Sequence, residues 1–437
     1  MKNELKHILA LSLLLLAPCL LPVARAQVSG THSSYSRFGL GLLNDQSQGF
    51  NKSMGGVGLG VRMGNRLNIT NPASYSAIDS LSLILDVGMS GSFGQMKQGS
   101  QRINVKNASF DYVHVGMHIA KRLGLAAGFM PYTSIGYQFS SPDKTIVNNV
   151  NTTQSITNSN IYYGNGGLNQ VYIGLGWRVY RGLSVGTNVS FLWGNYNHYV
   201  VPLFKEGGLS SENYDGTAKT YSASLKTYKI DFGAQYPVRL TSQDWLNLGA
   251  TVGLGHKIAQ DATLMIDTLE SFVASSPFDL PYTFGFGTAW QHKNTLLVAA
   301  DVHHECWSHC RMPIETANSY VPMKGYYKDM TKIAVGTQWT PDPYDRNFWK
   351  RVQYRAGFSY TTPYLKVNGQ NGPKELRLSI GAGLPIMNRI NNRSVVNFGV
   401  QWLRRSSSAT NMITENYFLI NLGITFNERW FMKYKIE

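Results

Sequence analysis

The chain has 437 residues, with 40 Lys and Arg against 25 Asp and Glu, and a formal net charge of +15. Only 15% of its residues are charged, whereas about 25% is typical of soluble domains. Aromatic residues make up 12%, and there are 43 glycines. This composition disfavours a disordered chain, a coiled coil and a small disulfide-stapled domain, and it favours strands that alternate between lipid and water.

Residues 1–26 have the organisation of a secretory signal peptide. A basic start and an apolar run over residues 8–16 precede the small-x-small cleavage site Ala24-Arg25-Ala26. We expect cleavage after Ala26, with lipidation at Cys19 as the alternative. The remaining chain has no apolar stretch of the roughly 18 residues that a spanning helix needs. Such an exported protein is periplasmic, secreted, or a β-barrel of an outer membrane.

Residues 168–180 show a period of two that favours the barrel. One face of this strand is apolar and the other is polar and Gly-rich; the apolar face is formed by Val171, Ile173, Leu175, Trp177 and Val179. Residues 183–191, 246–255, 376–383 and 418–426 alternate in the same way. A soluble β-sandwich also alternates, but its strands average about five or six residues. The runs found here are long enough to cross a bilayer at a tilt, and many carry an aromatic residue near one end.

The spacing of these runs predicts fourteen strands. We place them at residues 81–94, 108–120, 123–139, 168–180, 183–201, 219–237, 245–259, 279–291, 295–307, 329–340, 352–363, 374–385, 394–406 and 415–426. Connections after even-numbered strands are mostly tight and those after odd-numbered strands mostly long, as in barrels with short periplasmic turns and long outer loops. The sequence therefore predicts an all-β fold, a 14-stranded antiparallel transmembrane β-barrel over residues 81–426, with a periplasmic C-terminal tail over residues 427–437.

Residues 27–80 precede the barrel and do not alternate. They are rich in Gly and small residues and too apolar for a loose tail. An empty barrel of fourteen strands would be a water-filled channel, because the interior width grows with strand number. We expect this segment to fold inside the barrel as a lumenal hatch; a flexible periplasmic extension is the alternative.

Three features of the chain resemble the FadL/TodX family of outer-membrane proteins. Asn71-Pro72-Ala73, just before the first strand, resembles the hatch signature of that family. Ala300-Asp301 followed by Trp307-Ser308 resembles the end of a strand in the second half of those barrels, and fourteen strands is the number that the family has. The resemblance implies a hatch that lines or blocks a path for hydrophobic ligands. Its residues would be Asn71, Pro72 and Ala73, with Phe38, Gly55 and Gly56 as their packing.

The leading functional hypothesis is therefore a FadL-like outer-membrane channel for hydrophobic molecules of the long-chain fatty acid or hydrocarbon type. Its partners would be outer-membrane lipid and a hydrophobic small molecule. The opening over residues 33–41 and the basic, aromatic end resemble a Bacteroidota version of the fold, some members of which serve assembly or secretion machines. The alternative is a non-transporting partner of another outer-membrane barrel in an outer-membrane protein assembly (BAM) or secretion complex.

The basic residues of the expected periplasmic turns support this alternative, because they would face lipid headgroups or a partner. These residues are Lys121, Arg122, Arg181, Lys293, Lys350, Arg351, Arg389 and Arg393. Nucleic acid is an unsuitable partner in that location. The chain has neither a nucleophile-elbow motif nor a phosphate-binding GxxxxGK[ST] motif, so we expect no enzymatic activity and no cofactor.

Residues 303–310, with the sequence HHECWSHC, concentrate groups that could carry chemistry. Cys306 and Cys310 are the only cysteines after the signal peptide. A fully extended strand would hold their Cα atoms about 13 Å apart, too far for a disulfide, whereas a turn at Trp307 would make one feasible. A disulfide, two free thiols and a metal site all remain open. The spacing matches no strong metal-ligand pattern, so the pair is a candidate disulfide and we expect no metal.

Overall fold

A computed structural model describes residues 33–141, 144–148, 155–206, 209–210, 216–267, 270–317, 319–386, 394–409 and 412–429. The expected signal peptide, Arg389 and Arg393, and residues 430–437 of the expected tail lie outside these ranges. Among the described residues, helices long and apolar enough to cross a membrane are absent.

Fourteen long antiparallel strands close into a barrel, which confirms the predicted fold class. They are β1 (Ser82–Gln98), β2 (Gln101–Ala120), β3 (Leu123–Pro131, continued by Thr133–Ser140 and Lys144–Asn148), β4 (Ser155–Tyr180), β5 (Leu183–Glu206), β6 (Lys219–Arg239), β7 (Asp244–Gly253), β8 (Thr283–His292), β9 (Leu296–Glu305), β10 (Met330–Trp339), β11 (Gln353–Thr361), β12 (Lys374–Pro385), β13 (Val395–Ser406) and β14 (Thr414–Arg429). Each strand pairs with its sequence neighbour, and β14 closes on β1 with Ser82 opposite Arg429.

The outer surface of the barrel is apolar. On β4, Val171, Ile173, Leu175 and Trp177 are 42–56% exposed, while the alternate residues Gln170 and Tyr172 are buried. An apolar surface of this extent is stable against hydrocarbon, and closure satisfies every strand edge. The two faces predicted from the period of two are therefore the two faces of the barrel wall.

The two ends of the barrel differ as the strand spacing predicts. At one end, here called the short-turn end, β2 joins β3 through Lys121 and Arg122, and β4 joins β5 through Arg181 and Gly182. Arg122 and Arg181 have φ values of 74° and 42°, the left-handed conformation that tight hairpin turns require. The connection over residues 340–352 is longer and contains a helical turn, Phe348–Arg351.

At the opposite, long-loop end, several strands continue past the apolar band. β4 and β5 stay paired as far as Ile156 and Glu206, so much of the predicted loop over residues 140–167 is strand. A ladder can continue into water because its backbone groups remain paired there. The loops at this end add short strands, at Leu209–Ser210, His256–Lys257, Ala262–Ile266, Glu270–Ala274, Asp279–Leu280, Met312–Thr316, Ser319–Met323, Lys366–Val367 and Gln370–Asn371, and the 3₁₀ helix Trp307–His309.

Residues 33–80, here called the amino-terminal segment, contact the buried faces of the strands. The segment contains two 3₁₀ helices, Ser34–Arg37 and Pro72–Ala77, the short strand Leu42–Leu43 and the helical turn Gly49–Lys52. It begins near the long-loop end, where the hydroxyl of Ser33 donates to Glu415 at 2.8 Å. It reaches the short-turn end before β1.

The last strand is longer than the sequence pattern predicts. The expected tail begins at residue 427, but β14 continues through Arg429 and pairs with the first residues of β1. The prediction ended the strand too early because the apolar alternation stops at Phe426. The backbone pairing continues, with Asn427 opposite Ile84 and Arg429 opposite Ser82.

Candidate functional site

A belt of glycines on the buried face of the wall receives the amino-terminal segment. Cross-strand register places these glycines opposite one another, as in the pairs Gly176–Gly186, Gly186–Gly233, Gly249–Gly287, Gly336–Gly357 and Gly381–Gly399. A Cβ atom added to any of them would overlap or closely contact an atom of the segment. Because glycine has no side chain, the backbone of the segment packs directly on the backbone of the wall.

Asn71 ties the segment to two neighbouring strands. Its Oδ1 accepts the N–H of Ala73 at 3.1 Å and so caps the 3₁₀ helix that follows. Its Nδ2 donates to the carbonyl oxygens of Leu59 at 3.0 Å and Ala234 at 3.1 Å, and Ala250 lies at 3.4 Å. One fully buried amide therefore joins two parts of the segment to β6 and β7.

Pro72 and Ala73 lie against the same region of the wall. A Cβ on Gly176 would stand 2.6 Å from the Pro72 carbonyl oxygen, and one on Gly186 would meet the same residue. Ala73 is fully buried, and its carbonyl oxygen accepts from Arg62 at 3.4 Å. The three residues of the expected hatch element thus lie together beside β4 to β7.

Gly55 and Gly56 contact a different sector of the wall. Their φ values of 71° and 84° lie in the left-handed region that favours glycine. Gly55 donates its N–H to the hydroxyl of Ser379 on β12 at 2.9 Å, and a Cβ on it would lie 2.7 Å from the carbonyl oxygen of Phe358. These glycines share the segment with Asn71 but lie at β10 to β12.

Phe38 belongs to a third location near the long-loop end. It packs, half-buried, against an apolar group here called the upper cluster. The aromatic members of this cluster are Tyr132, Tyr137, Tyr196, Phe278, Trp307, Tyr320 and Tyr327, and Leu40 joins it from the amino-terminal segment. All of these side chains are at most 6% exposed, so packed rings occupy this part of the interior.

Between the upper cluster and the glycine belt lies a network of buried ion pairs, here called the charge lattice. Arg377 of β12 pairs with Asp45 of the segment and donates to Glu375 at 2.7 Å. Arg405 of β13 donates to Glu375 at 2.9 Å and to Glu415 at 3.3 Å. Burial raises the pKa of Asp45, but the charges of Arg377 and the nearby lysines outweigh it and hold that pKa far below its ordinary value.

A cavity of about 280 Å³ adjoins the charge lattice. Beyond the lattice itself, its lining includes Lys229, Asp231, His303 and Glu305 from the wall. Ionised groups of both signs therefore border this space, together with apolar side chains such as Leu43, Met130 and Phe284.

Asp301 of β9 anchors the middle of the segment. Its Oδ2 accepts the backbone N–H groups of Gly58 at 2.6 Å and Leu59 at 2.8 Å, and the residue is 1% exposed. The motif Ala300-Asp301 stood out in the sequence only through a family resemblance. The structure gives Asp301 a defined contact, since a buried carboxylate bonded to two N–H groups is a strong local anchor.

Cys306 and Cys310 are free thiols, so the candidate disulfide is not formed. The chain does turn at Trp307, but the Sγ of Cys310 is directed at the carbonyl oxygen of Cys306, 3.9 Å away. Burial raises the pKa of the Cys310 thiol to about 12, which keeps it protonated and unreactive. Within the described ranges, groups of three or more His, Cys, Asp or Glu residues placed to hold a metal ion are absent.

Sequence reasoning did not find the charge lattice. The available signal was a charged residue on the inner face of a strand whose outer face is apolar, as at Arg377 between Leu376 and the exposed Leu378. The alternation shows that Arg377 points inward. It places Glu375, two residues earlier on β12, on the same face, but it does not show that Asp45 meets Arg377, because Asp45 belongs to the amino-terminal segment.

Solved structures with a similar fold include two toluene transporters and a FadL homologue. The toluene transporter TbuX of Ralstonia pickettii aligns with a TM-score of 0.56 at 15% identity, covering 89% of this chain and 99% of that one. The P. putida toluene transporter TodX gives 0.55 at 16%, covering 88% and 98%. A Pseudomonas aeruginosa FadL homologue gives 0.57 at 11%, covering 88% and 99%. The FadL/TodX-like fold implied by the sequence resemblance is confirmed.

Among curated proteins, none matches this chain. A family model described as BamG matches residues 5–437, almost the whole length. The chain belongs to the BamG family.

Proposed function

We propose that this protein is a non-transporting partner barrel in an outer-membrane protein-assembly (BAM) complex. The observation that carries the proposal is the way the amino-terminal segment is bonded to the wall at successive depths. A barrel whose bore is held shut in this manner offers its outer and periplasmic surfaces for use, and membership of the BamG family agrees with such a role.

Three layers support a closed bore. Near the long-loop end, the upper cluster packs aromatic rings such as Trp307 and Tyr327, whose centroids are 5.3 Å apart. Below it, the charge lattice joins Asp45 to β12 through Arg377, and Glu375 links β12 to Arg405 of β13. At the glycine belt, backbone meets backbone. Opening a path would require separating buried ion pairs and hydrogen bonds, each of which is costly in a low-dielectric interior.

The proposal includes the placement of the protein and of its segments. The fold is that of outer-membrane β-barrels, and we propose that the chain reaches this membrane after cleavage behind Ala26 and contacts outer-membrane lipid. Residues 27–80 would act as the hatch, with Asn71, Pro72 and Ala73 as its anchoring element. Mass spectrometry of the purified protein tests the cleavage, since the mature chain should begin at Gln27.

Affinity purification after gentle detergent extraction tests the partner role. The tagged protein should recover another large outer-membrane barrel in near-stoichiometric amount, and depletion of this protein should lower the abundance of several outer-membrane barrels. A tagged, unrelated barrel expressed at the same level is the control. Recovery of the protein alone, together with unchanged outer-membrane composition on depletion, would refute the proposal.

A second candidate is the uptake of hydrophobic molecules, which the sequence resemblance favours. Its support is the shared fold with TbuX and TodX, both named as toluene transporters. Uptake of labelled toluene and of labelled long-chain fatty acid, in cells with and without the gene, separates the candidates. Equal uptake is expected from a partner barrel, and uptake that depends on the gene would favour the channel.

A further inference from the structure

A cavity of about 820 Å³ opens at the short-turn end of the barrel. Its floor is the amino-terminal segment, from Arg62 to Arg66, and its sides are barrel strands. Its mouth is formed by residues of the turns at 291–295 and 340–352, including Tyr344. Because short turns face the periplasm in barrels of this kind, the cavity is accessible from that compartment.

Two buried guanidinium groups at this end are bonded to neutral amides. Arg66 donates to the amide oxygens of Gln338, at 2.9 Å, and of Gln353. Arg355 of β11 donates to the same two oxygens, at 2.9 and 2.7 Å, and to Asn397 at 2.7 Å. Both arginines are 4% exposed. Amide oxygens satisfy N–H groups but do not neutralise charge, so the direct partners leave both cations uncompensated, and the buried Asp86 is a single nearby carboxylate shared between the two.

Arg66 also keeps an unused donor. In the described part of the chain its Nε has no hydrogen-bond partner, although the residue lines the cavity. Burial lowers the pKa of Arg66 to about 10, so the group is still charged at neutral pH. A buried, charged and partly unsatisfied group beside an open cavity favours an anionic ligand.

The ionised groups on the cavity lining are mostly cationic. Arg62, Arg66 and Arg351 line it together with a single carboxylate, Asp79, and Arg355 shares the amide oxygen of Gln338 with Arg66. The mouth also offers exposed aromatic surface, since Tyr344 is 83% exposed and Trp349 on the same turn is 65% exposed. Aromatic and Arg side chains are the residues that most often anchor protein partners.

We propose that this cavity receives an acidic peptide segment of a periplasmic partner. Carboxylates of the peptide would pair with Arg351 and offset the charge of Arg66 and of Arg62, whose guanidinium already donates to Ala73, Gln235 and Ser76. Tyr344 would pack on the peptide backbone at the mouth. The volume lies in the range of sites that hold drug-sized ligands, about 300–1,000 Å³, and so exceeds what a single ion fills. Lipid headgroups meet the outer surface of the barrel, whereas this lining belongs to the interior.

The inference rests on the proposed partner role but has its own test. The probe is a fluorescein-labelled decapeptide of alternating Glu and Gly, added to the full-length protein in detergent and followed by fluorescence anisotropy. A Lys-Gly decapeptide is the control ligand. The acidic peptide should bind, the basic one should not, and binding should weaken as salt is raised.

Variants locate the binding. Arg351→Gln should weaken binding by about tenfold, the scale of one charge-assisted hydrogen bond. Arg346→Gln, on the same turn but not on the cavity lining, should bind as the wild type does. Tyr344→Ala guards against misfolding of the first variant, because the exposed Tyr344 can be lost without disturbing the wall, and it should also weaken binding severalfold.

Three outcomes would overturn the inference: equal binding of both peptides, equal loss in Arg351→Gln and Arg346→Gln, or full displacement by 10 mM inorganic phosphate. The last would mean that a free anion, and not a peptide, fits the site. If the peptide does not bind but the affinity purification recovers a large outer-membrane barrel, the cavity is not the peptide site and the partner role stands. Peptide binding without any recovered barrel would remove the partner role alone.

Discussion

The carboxylate of Asp301 accepts the backbone N–H of Gly58 at 2.6 Å, so that a strand of the wall completes a turn of the segment inside it. The same oxygen accepts the N–H of Leu59 at 2.8 Å. Across the β8–β9 pair, Gly287 stands opposite Asp301, and a Cβ there would overlap the carboxylate. The contact therefore needs a charge on one strand and an absent side chain on its neighbour.

Loss of this anchor should loosen the segment. Asp301→Ala would leave two buried N–H groups unbonded, which we expect to cost about 2–4 kcal/mol. Asp301→Asn keeps a hydrogen-bond acceptor, so its stability should lie between those of Asp301→Ala and the wild type. The temperature at which the folded band disappears from a semi-native gel measures the effect. Glu270→Ala, in an exposed loop, is the control. Identical transition temperatures for all four proteins would contradict the anchoring role.

At Asn71 the hydrogen-bond donor can be replaced by an acceptor without changing the shape of the side chain. Its Nδ2 faces three carbonyl oxygens, so Asn71→Asp places an acceptor where a donor is needed. Asn71→Ala removes the donor and should cost about 1–3 kcal/mol, whereas Asn71→Asp adds repulsion and should cost more.

Limited trypsin digestion of the folded proteins ranks the two Asn71 variants by how readily the amino-terminal segment detaches. Arg62 and Arg66 lie in the same segment and should become cleavable when it detaches. Asn104→Asp, at an exposed strand position, should be cleaved at the wild-type rate. A slower cleavage of Asn71→Asp than of Asn71→Ala would contradict the assigned hydrogen bonds.

The barrel was predictable because its signal is local. Alternation over a single strand such as β4 reports which face meets lipid, and the same residues, from Val171 to Trp177, are the exposed ones. Turn positions followed from the same pattern. The alternation also marked the Gly-rich face, but it could not say that Gly176 and Gly186 stand opposite each other against Pro72.

The site depends on contacts that are distant in sequence. Ser33 meets Glu415 across 382 positions, and Asp45 meets Arg377 across 332. No periodicity encodes such pairs, since each results from the path of the segment through a closed wall. The resemblance drew attention to Asn71-Pro72-Ala73, whereas the buried hydrogen bonds of Asn71 and its separation from Gly55 and Phe38 came only from the structure.

The charge lattice predicts a defined pH response. Burial raises the pKa of Asp45, but Arg377 and the neighbouring lysines hold it well below 3.8, its ordinary value. Because the folded protein then binds fewer protons than the unfolded chain, the ion pair stabilises above pH 3.8 and this contribution falls as the pH drops below it. Asp45→Asn should therefore cost about 3–5 kcal/mol at pH 7, and the gap to the wild type should narrow below pH 3.8.

Urea unfolding at a series of pH values measures the difference in the free energy of unfolding between the wild type and Asp45→Asn. Asp342→Asn, on the exposed turn of the short-turn end, should show little gap at any pH. A gap for Asp45→Asn that stays constant from pH 7 to pH 3, or widens, would mean that Asp45 is not ionised against Arg377 in the folded protein.

The glycine belt makes a prediction that separates packing from backbone flexibility. Gly249 of β7 faces the carbonyl of Leu59, which an added Cβ would overlap, whereas the nearest atom to a Cβ on Gly91 of β1 is 4.0 Å away. Both glycines are in strands and neither has a positive φ, so their substitutions differ only in what the methyl meets.

Gly249→Ala should displace the segment, speed trypsin cleavage at Arg62 and raise the conductance of the barrel in planar bilayers. Gly91→Ala should leave both readouts unchanged, since Ala is no less suited to a strand than Gly. Equal behaviour of the two variants would mean that the segment does not rest on this belt.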